Sequence, residues 1–490
     1  MVDTAPKFAQ NTALKLLAHT YGWRRCRAIV KREYLAKDQL REIQAEKLQR
    51  LVTHAYQNVP LYRDRFQDAG LAPQDIHGPE DLPLLPPLAK QDVAANFPDR
   101  IIAGGTRGFS WKHLTSTGTT SDRIDIMLNI GASQWRHALE LRTDLLSGCP
   151  IGTRRLELPP DICSRECGVG QTGPNGFWGQ VRYAADQSGK PLYEFASALN
   201  RLMRQSVRKR LFKDKSMPPF GPEGTNISDE RLREYVDAIL EFHPYMLVAL
   251  PAYLQEIARY MKRKGMQAPV KLIRPIGSVS TEKLKREWAD IFEGEVYETY
   301  GSNELGPIAC ECEERNGLHV AMENYVVEVV RDGQPAQPGE LGEVLVTCLD
   351  NYAMPMLRYR IADVGRWYNH SCPCGRSSQL IEVNGRLQDL IVTEEGQAIP
   401  EDQLMDFFYY EIGLRQFQLV ERHAGEFDLL MVPEDGSQVD TGQVVERTRQ
   451  LLGETVQIQP FVVETIYPEA TGKFRFVKSA SYERFAAVER

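Results

Sequence analysis

The sequence contains no run of eighteen apolar residues, so nothing in it is long enough to span a membrane as a helix. It opens MVDTAPKFAQ, without the basic start and apolar block of a secretory leader. It has no surplus of basic residues: 59 Lys and Arg stand against 66 Asp and Glu, a formal net charge of −7. That balance argues against nucleic acid as the main partner, because phosphate backbones are gripped by excess cations. The basic stretch MRQSVRKRLFKDK (203–215) reads as a solvated helix face. Cysteine is sparse and odd in number, nine in 490 residues, and is not spread as a disulfide framework. Free or metal-bound thiols in a cytoplasmic protein are therefore expected. A GxxxxGK[ST] phosphate loop is missing as well. GVGQTG (168–173) matches GxGxxG formally, but PNGFWG follows it and starts no helix cleanly, so the dinucleotide reading fails on context.

What is present is an α/β pattern. The length allows two or more domains. Residues 1–100 read as the helical N-terminal part of a large domain. In AKDQLREIQAEKLQRLVTHAYQNV, Leu40, Ile43, Leu48, Leu51, Val52 and Ala55 fall at helical spacing. ERLREYVDAILEF, PAYLQEIARYMKRKG and TEKLKREWADIF are helices that alternate with the strands KLIRPIGSV and GEVYETYG. That alternation implies a parallel sheet with a ligand near the strand C-termini, at Gly277 and Gly301. From 320 to 370 the chain turns to short strands broken by Gly, Pro and Asp, an antiparallel sheet or distorted barrel. Residues 386–490 form a smaller α+β unit: the hairpin DLIVTEEGQAI, the helix PEDQLMDFFYYEIG, the hairpin RQFQLVERHAGEFDLLMV, the helix TGQVVERTRQLLG and the strand VQIQPFVVETI.

Five separated pieces carry chemistry. LTSTGTTSDR (114–123) offers the hydroxyls of Ser116, Thr117, Thr119 and Thr120, and Gly118 lets backbone amides turn toward an anion. YETYGSNELG (297–306) puts Tyr300 and Glu304 just past a strand, where the ring can stack on a base and the carboxylate can hold Mg²⁺. RYRIAD ends in Asp363, able to accept from both hydroxyls of a ribose. GRLQD places Arg386 at the junction of the two units. ATGKFRFV sets Lys473 on a small glycine loop. Taken singly, each is also explained by an ordinary loop or surface residue.

In this order and spacing the pieces resemble the adenylate-forming enzymes, specifically the phenylacetate–CoA ligase-like branch that includes capsule-biosynthesis proteins. The resemblance runs from about residue 35 to the C-terminus. It implies an adenylation core over 101–385 and a mobile C-terminal lid over 386–490. It further implies that Ser116, Thr117, Gly118, Thr119 and Thr120 hold the β- and γ-phosphates of ATP. Gly277 and Ser278 line the adenine and acyl pocket. Tyr300 stacks on adenine within the motif Tyr300-Gly301-Ser302-Asn303-Glu304. Glu304 binds Mg²⁺, Asp363 the ribose, and Arg386 the ribose and phosphates. Gln388 is the hinge, and Lys473 bridges the attacking carboxylate and the α-phosphate. The implied activity is acid–CoA ligation through an acyl-adenylate, with an aryl or other small organic acid. Transfer to an amine, a hydroxyl or a carrier-protein thiol is the alternative. A degenerate nucleotide-binding protein is a third reading. Three departures stand out: Ser121-Asp122-Arg123 closes the loop where the family has glycine, Asn303 replaces a hydroxyl, and 150–220 matches the aryl-acid ligases poorly.

The cysteines supply one more expectation. Cys310 and Cys312 lie in ACEC, and Cys372 and Cys374 in SCPCGR. A short Asn-Gly turn brings His319 back toward Cys312. Cys312, His319, Cys372 and Cys374 form a structural Zn²⁺ set, with Cys310 as the alternative to His319. Cys163 and Cys167 read as free thiols.

Overall fold

The computed structural model describes residues 21–104, 112–115, 124–150, 152–158, 214–220, 227–434, 436–469 and 474–486. Ser116–Thr120, Ser121-Asp122-Arg123, Cys163, Cys167, GVGQTG, most of the basic stretch and Lys473 lie outside the described residues. Elements are numbered below in chain order over what is described.

Four α-helices open the described residues: α1 (Tyr21–Arg32), α2 (Lys37–Asn58), α3 (Pro60–Asp68) and α4 (Lys90–Asn96). In α2 the residues Leu40, Leu48, Leu51, Val52 and Ala55 are buried, as their spacing predicts. Ile43 is a correction: it is only half-buried, and its neighbour Gln44 takes the inner position. The amide explains this, since Gln44 Nε2 donates to the carbonyl of Tyr325 at 2.7 Å. A small hairpin follows, β1 (Lys112–Thr115) with β2 (Asp125–Leu128), and then α5 (Ile130–Leu146).

The parallel sheet holds β3 (Arg155–Leu158), β4 (Lys215–Ser216), β5 (Met246–Ala249), β6 (Leu272–Pro275) and β7 (Glu295–Val296), in the order β4-β3-β5-β6-β7. All residues of β5 and β6 are buried, as expected where helices cover both faces. The helices are α6 (Asp229–Phe242), α7 (Pro251–Lys264) and α8 (Glu282–Ile291). Their ends follow local chemistry. Ser228 and Thr281 side chains accept from the backbone N–H groups of Arg231 and Leu284. Pro251 opens α7, and Gly265 closes it at φ +62°.

GEVYETYG does not form one strand. Glu295–Val296 belongs to the parallel sheet, and β8 (Thr299–Ser302) belongs to the other. The turn between them is fastened by the N–H of Glu298 donating to Glu311 Oε2 at 2.7 Å, and that of Glu311 to the Glu298 carbonyl at 3.1 Å. Lys285 Nζ lies 3.3 Å from Glu298 and 3.7 Å from Glu311.

The second sheet is antiparallel: β8, β9 (Gly306–Cys310), β10 (Leu318–Val320), β11 (Tyr325–Arg331), β12 (Gln334–Pro335), β13 (Gly342–Cys348), β14 (Met356–Trp367) and β15 (Leu380–Arg386). Its order is β12-β11-β13-β14-β15-β10-β9-β8. One apolar core joins it to α1, α2, α3 and α5.

The smaller C-terminal region contains the hairpin β16 (Ile391–Val392) and β17 (Ala398–Ile399), then α9 (Glu401–Asp406). The expected single helix changes pitch here: Phe407–Ile412 is a π-helix, ended by Gly413 at φ +81°. The strands β18 (Leu414–His423) and β19 (Glu426–Pro433), helix α10 (Thr441–Leu452), strands β20 (Gln457–Val462) and β21 (Val477–Lys478), and α11 (Tyr482–Ala486) complete it. Its sheet order is β20-β19-β18-β21. A second apolar core runs continuously from α6, α7 and α8 into Phe408, Phe417, Leu429 and Val477 of this region.

Candidate active site and a cysteine–histidine cluster

The turn between β8 and β9 is built on two glycines. A Cβ at Gly301 would lie 2.3 Å from the carbonyl oxygen of Gly306. Gly306 has φ +86°, and a Cβ there would meet the Arg136 stem at 3.0 Å. Only glycine lets the strands close this tightly, and the closure thrusts Asn303 and Glu304 out at the tip. Ser302 Oγ accepts from the N–H of Leu305 at 3.2 Å, which fixes the turn. Glu304 is half-exposed and makes no hydrogen bond or ion pair with any described residue.

Tyr300 precedes this turn and is buried at 8% exposure. Its hydroxyl donates to Asp363 Oδ2 at 2.9 Å. Burial and the neighbouring Asp363 carboxylate hold the phenol well above its ordinary range, so it remains a donor. Asp363 in turn stands opposite Arg386 in the β14–β15 register. Three pieces far apart in sequence therefore meet: 300–304, Asp363 and Arg386. Gly277, at φ +85°, and exposed Ser278 sit just beyond the end of β6, beside β7, whose chain continues into β8.

Arg136 is a neighbour that sequence reading passes over. It projects from α5, and its Nη1 donates to the carbonyl of Asn303 at 2.7 Å. With Glu304, Trp135 and Asn351 it lines a small cavity under the turn. No local signal singles it out, since its helix IGASQWRHALELRTDLL mixes polar and apolar residues and carries a second arginine, Arg142.

Gln388 lies in the turn Leu387–Asp389 that leads into the C-terminal region. Its carbonyl accepts from Arg475 Nη2 at 3.1 Å and from the N–H of Ser479 at 3.2 Å. Arg475 Nε also pairs with Asp389 at 2.6 Å. Across the junction, Asn384 Nδ2 donates to Asp402 at 2.8 Å. A Cβ at Gly385 would lie 2.9 Å from Glu401 Cβ, so Glu401 packs directly on the strand end. Burial, and then Asp389, push the Glu401 carboxyl up to about 8. Burial raises Asp402 to about 6, against the Asn384 hydrogen bond.

The cysteines meet as expected. One potential ligand atom from each of Cys312, His319, Cys372 and Cys374 lies within 4.8 Å of the others. His319 Nε2 is 3.4 Å from Cys374 Sγ, and Cys312 Sγ is 3.5 Å from Cys372 Sγ. The His319 Nδ1 is fixed on Ser378 Oγ at 2.8 Å, which leaves Nε2 facing the thiols. Burial, with Arg142 and Arg376 nearby, lowers His319 to about 3, so the imidazole is neutral. The N–H groups of Glu314 and Arg376 donate to Cys312 and Cys374 at 3.4 and 3.5 Å. Three thiols, a neutral imidazole and N–H donors to sulfur fit a tetrahedral metal. Cys310 is not in the set, because its Sγ accepts from buried Arg142 Nη1 at 3.2 Å.

Residues 391–480 match the family described as the CapK C-terminal domain. The chain is 25% identical over 410 residues to a phenylacetate–coenzyme A ligase of Thermus thermophilus, covering 81% of each chain. It is 25% identical to the phenylacetate–coenzyme A ligase of Escherichia coli, over 82% of this chain and 83% of that one. Along about four-fifths of its length the chain is thus similar to phenylacetate–coenzyme A ligases. Among solved structures, the chain overlays on 2-hydroxyisobutyryl-CoA ligase in the postadenylation state with TM-score 0.67 and 17% identity, over 94% and 93% of the two chains. Against the same ligase in the thioesterification state the TM-score is 0.56, at 16% identity and 93% of both chains. Among the described residues, no helix is long and apolar enough to cross a membrane.

Proposed function

We propose that this chain activates a carboxylic acid with ATP and passes the acyl group to the thiol of CoA, with an aryl or other small organic acid as substrate. The observation that carries the reading is the meeting of Tyr300, Asp363 and Arg386 beside the open carboxylate of Glu304. In the first half-reaction a carboxylate oxygen attacks the α-phosphorus, and the bond to the bridging oxygen breaks as pyrophosphate leaves. In the second, the thiol sulfur attacks the acyl carbon, AMP leaves with the former carboxylate oxygen, and the thiol proton passes to solvent.

Asp363, already receiving the Tyr300 hydroxyl, has acceptor capacity left for ribose hydroxyls. Arg386 answers ribose and phosphate from the adjoining strand. Gly277 and Ser278 border the adenine and acyl pocket, and Ser116–Thr120 wrap the β- and γ-phosphates. Glu304 would hold Mg²⁺, which supplies charge compensation for the leaving pyrophosphate. Lys473 bridges two anions, the carboxylate and the α-phosphate, and acts by electrostatics rather than proton transfer. The closer overlay on the postadenylation structure supports taking the present placement of the small region as the adenylating one. An amine, hydroxyl or carrier thiol as acceptor is the second reading, favoured by the match to the CapK C-terminal domain.

A pyrophosphate-exchange screen over aryl, short aliphatic, fatty and amino acids tests the first half, and no exchange with any of them sinks the reading. Comparing AMP release with CoA and with candidate amines decides the acceptor. Lys473→Ala should lower exchange by about 10²–10³ while supplied acyl-adenylate is still converted to thioester. Equal loss of both half-reactions contradicts the role given to Lys473. For the cysteine–histidine cluster the reading is structural Zn²⁺ that ties the β9–β10 turn to the 372–374 loop.

A further inference from the structure

Besides the packing of Phe485 against Val364 and Arg331, the small region touches the large one at two places among the described residues. One is the junction at Gln388. The other lies on the faces of α7 and α8 that meet the π-helical turn and the start of β18. There Glu256, 2% exposed, receives Arg415 Nη2 of β18 at 3.0 Å and Arg259 Nη1 of its own helix at 3.3 Å. Arg259 Nη1 also donates to the Arg415 carbonyl at 2.8 Å, and its Nη2 lies 3.2 Å from Glu434. At the rim, the Tyr410 hydroxyl donates to Glu287 at 3.2 Å, and Lys283 pairs with Asp406 at 3.7 Å.

We infer that this contact is a latch that holds the small region in its adenylating position, with Arg415 and Glu256 as positioning residues for the first half-reaction. The inference rests on the function proposed above. Lys473 belongs to the small region, so any rotation about Gln388 that withdraws it must also part Arg415 from Glu256. A buried pair that loses one partner ordinarily leaves a costly bare charge. Here Arg259 stays on α7 with Glu256 when Arg415 departs, so the acid keeps a cation. That arrangement makes the latch firm when closed and releasable when open. The π turn serves the same end, since its changed pitch presents Tyr409 to Arg259 and Tyr410 to Glu287 from consecutive positions. Gln255 fixes the receiving surface: it accepts from Trp288 Nε1 at 2.8 Å and donates to Glu287 at 3.2 Å.

The test measures both half-reactions of Arg415→Ala against the unaltered protein: pyrophosphate exchange with the acid panel above, and thioester formation from phenylacetyl-adenylate and CoA. The ratio of exchange to thioester formation should fall about tenfold, within the usual range of coupling between two states. Thioester formation should be unchanged or faster. Because Arg415→Ala removes a partly buried side chain, the rim variant Tyr410→Phe with Lys283→Ala is measured alongside, and its ratio should fall roughly two- to threefold, the scale of exposed pairs. Melting temperatures confirm that each variant is folded. A ratio that stays put in either folded variant, or equal loss of both half-reactions, overturns the latch alone. Absence of exchange in the unaltered protein overturns the proposed function, and the latch with it.

Discussion

Glu401→Gln replaces a buried acid with a neutral isostere at the seam where the small region joins the large one. Glu401 is 6% exposed and rests on Gly385. Its carboxyl climbs from 4.5 to about 8, first because burial disfavours the anion and then because Asp389 is close, with Arg386 and Arg475 pulling the other way. At about 1.4 kcal/mol per unit, that shift sets a ceiling near 5 kcal/mol. Sharing of charge with Asp389 and local relaxation bring the expected effect to about 2 kcal/mol. The folded protein holds this proton more tightly than the unfolded chain does. Its contribution to stability is therefore complete below about pH 4.5 and is lost as the pH rises through about 8. Melting both proteins side by side from about pH 5 to 9 reads this together with the linked titration of Asp389, while groups far from Glu401 titrate alike in the two and cancel. The unaltered protein should lose about 2 kcal/mol, a few degrees, relative to the variant across that window. Two parallel curves with a constant offset would refute the reasoning.

Metal analysis by mass spectrometry should find one zinc per chain, and Cys372→Ser should abolish it and lower the melting temperature; no stoichiometric zinc in the unaltered protein sinks the site. Tyr300→Phe removes a donor to Asp363, a charged acceptor, and should raise the KM for ATP by about tenfold. An unchanged KM would mean that this hydrogen bond does not shape the ribose site. Gly301→Ala forces a methyl to within 2.3 Å of the Gly306 oxygen, so the turn must shift. The expected cost is about 1–3 kcal/mol of stability, with a higher Mg²⁺ requirement as Glu304 moves. Unaltered Mg²⁺ dependence would separate the turn from the ion.

The parts legible in the sequence were those with local punctuation. Pro251 and Gly265 marked their helix ends, and three cysteines with one His specified a ligand set that folding brings together. Less legible was what depends on partners far along the chain. Nothing in GEVYETYG tells that its first residues join one sheet and its last another, because that follows from Glu311 and Lys285. The apolar FFYY run continues a helical pattern, and periodicity does not distinguish α from π pitch. Gln44, Glu256 and Glu401 look like surface residues of amphipathic helices, and they are buried because a carbonyl, two guanidinium groups and a glycine face receive them.

The divided strand has a further consequence. Two residues, Tyr297 and Glu298, separate a segment built into the parallel sheet from one built into the antiparallel sheet. They act as a ruler of fixed length between two frameworks. A single inserted or deleted residue there would reverse the facing of the side chains of β8, turning Tyr300 away from Asp363. Variation among relatives should thus appear in residue type along this stretch and never in its length.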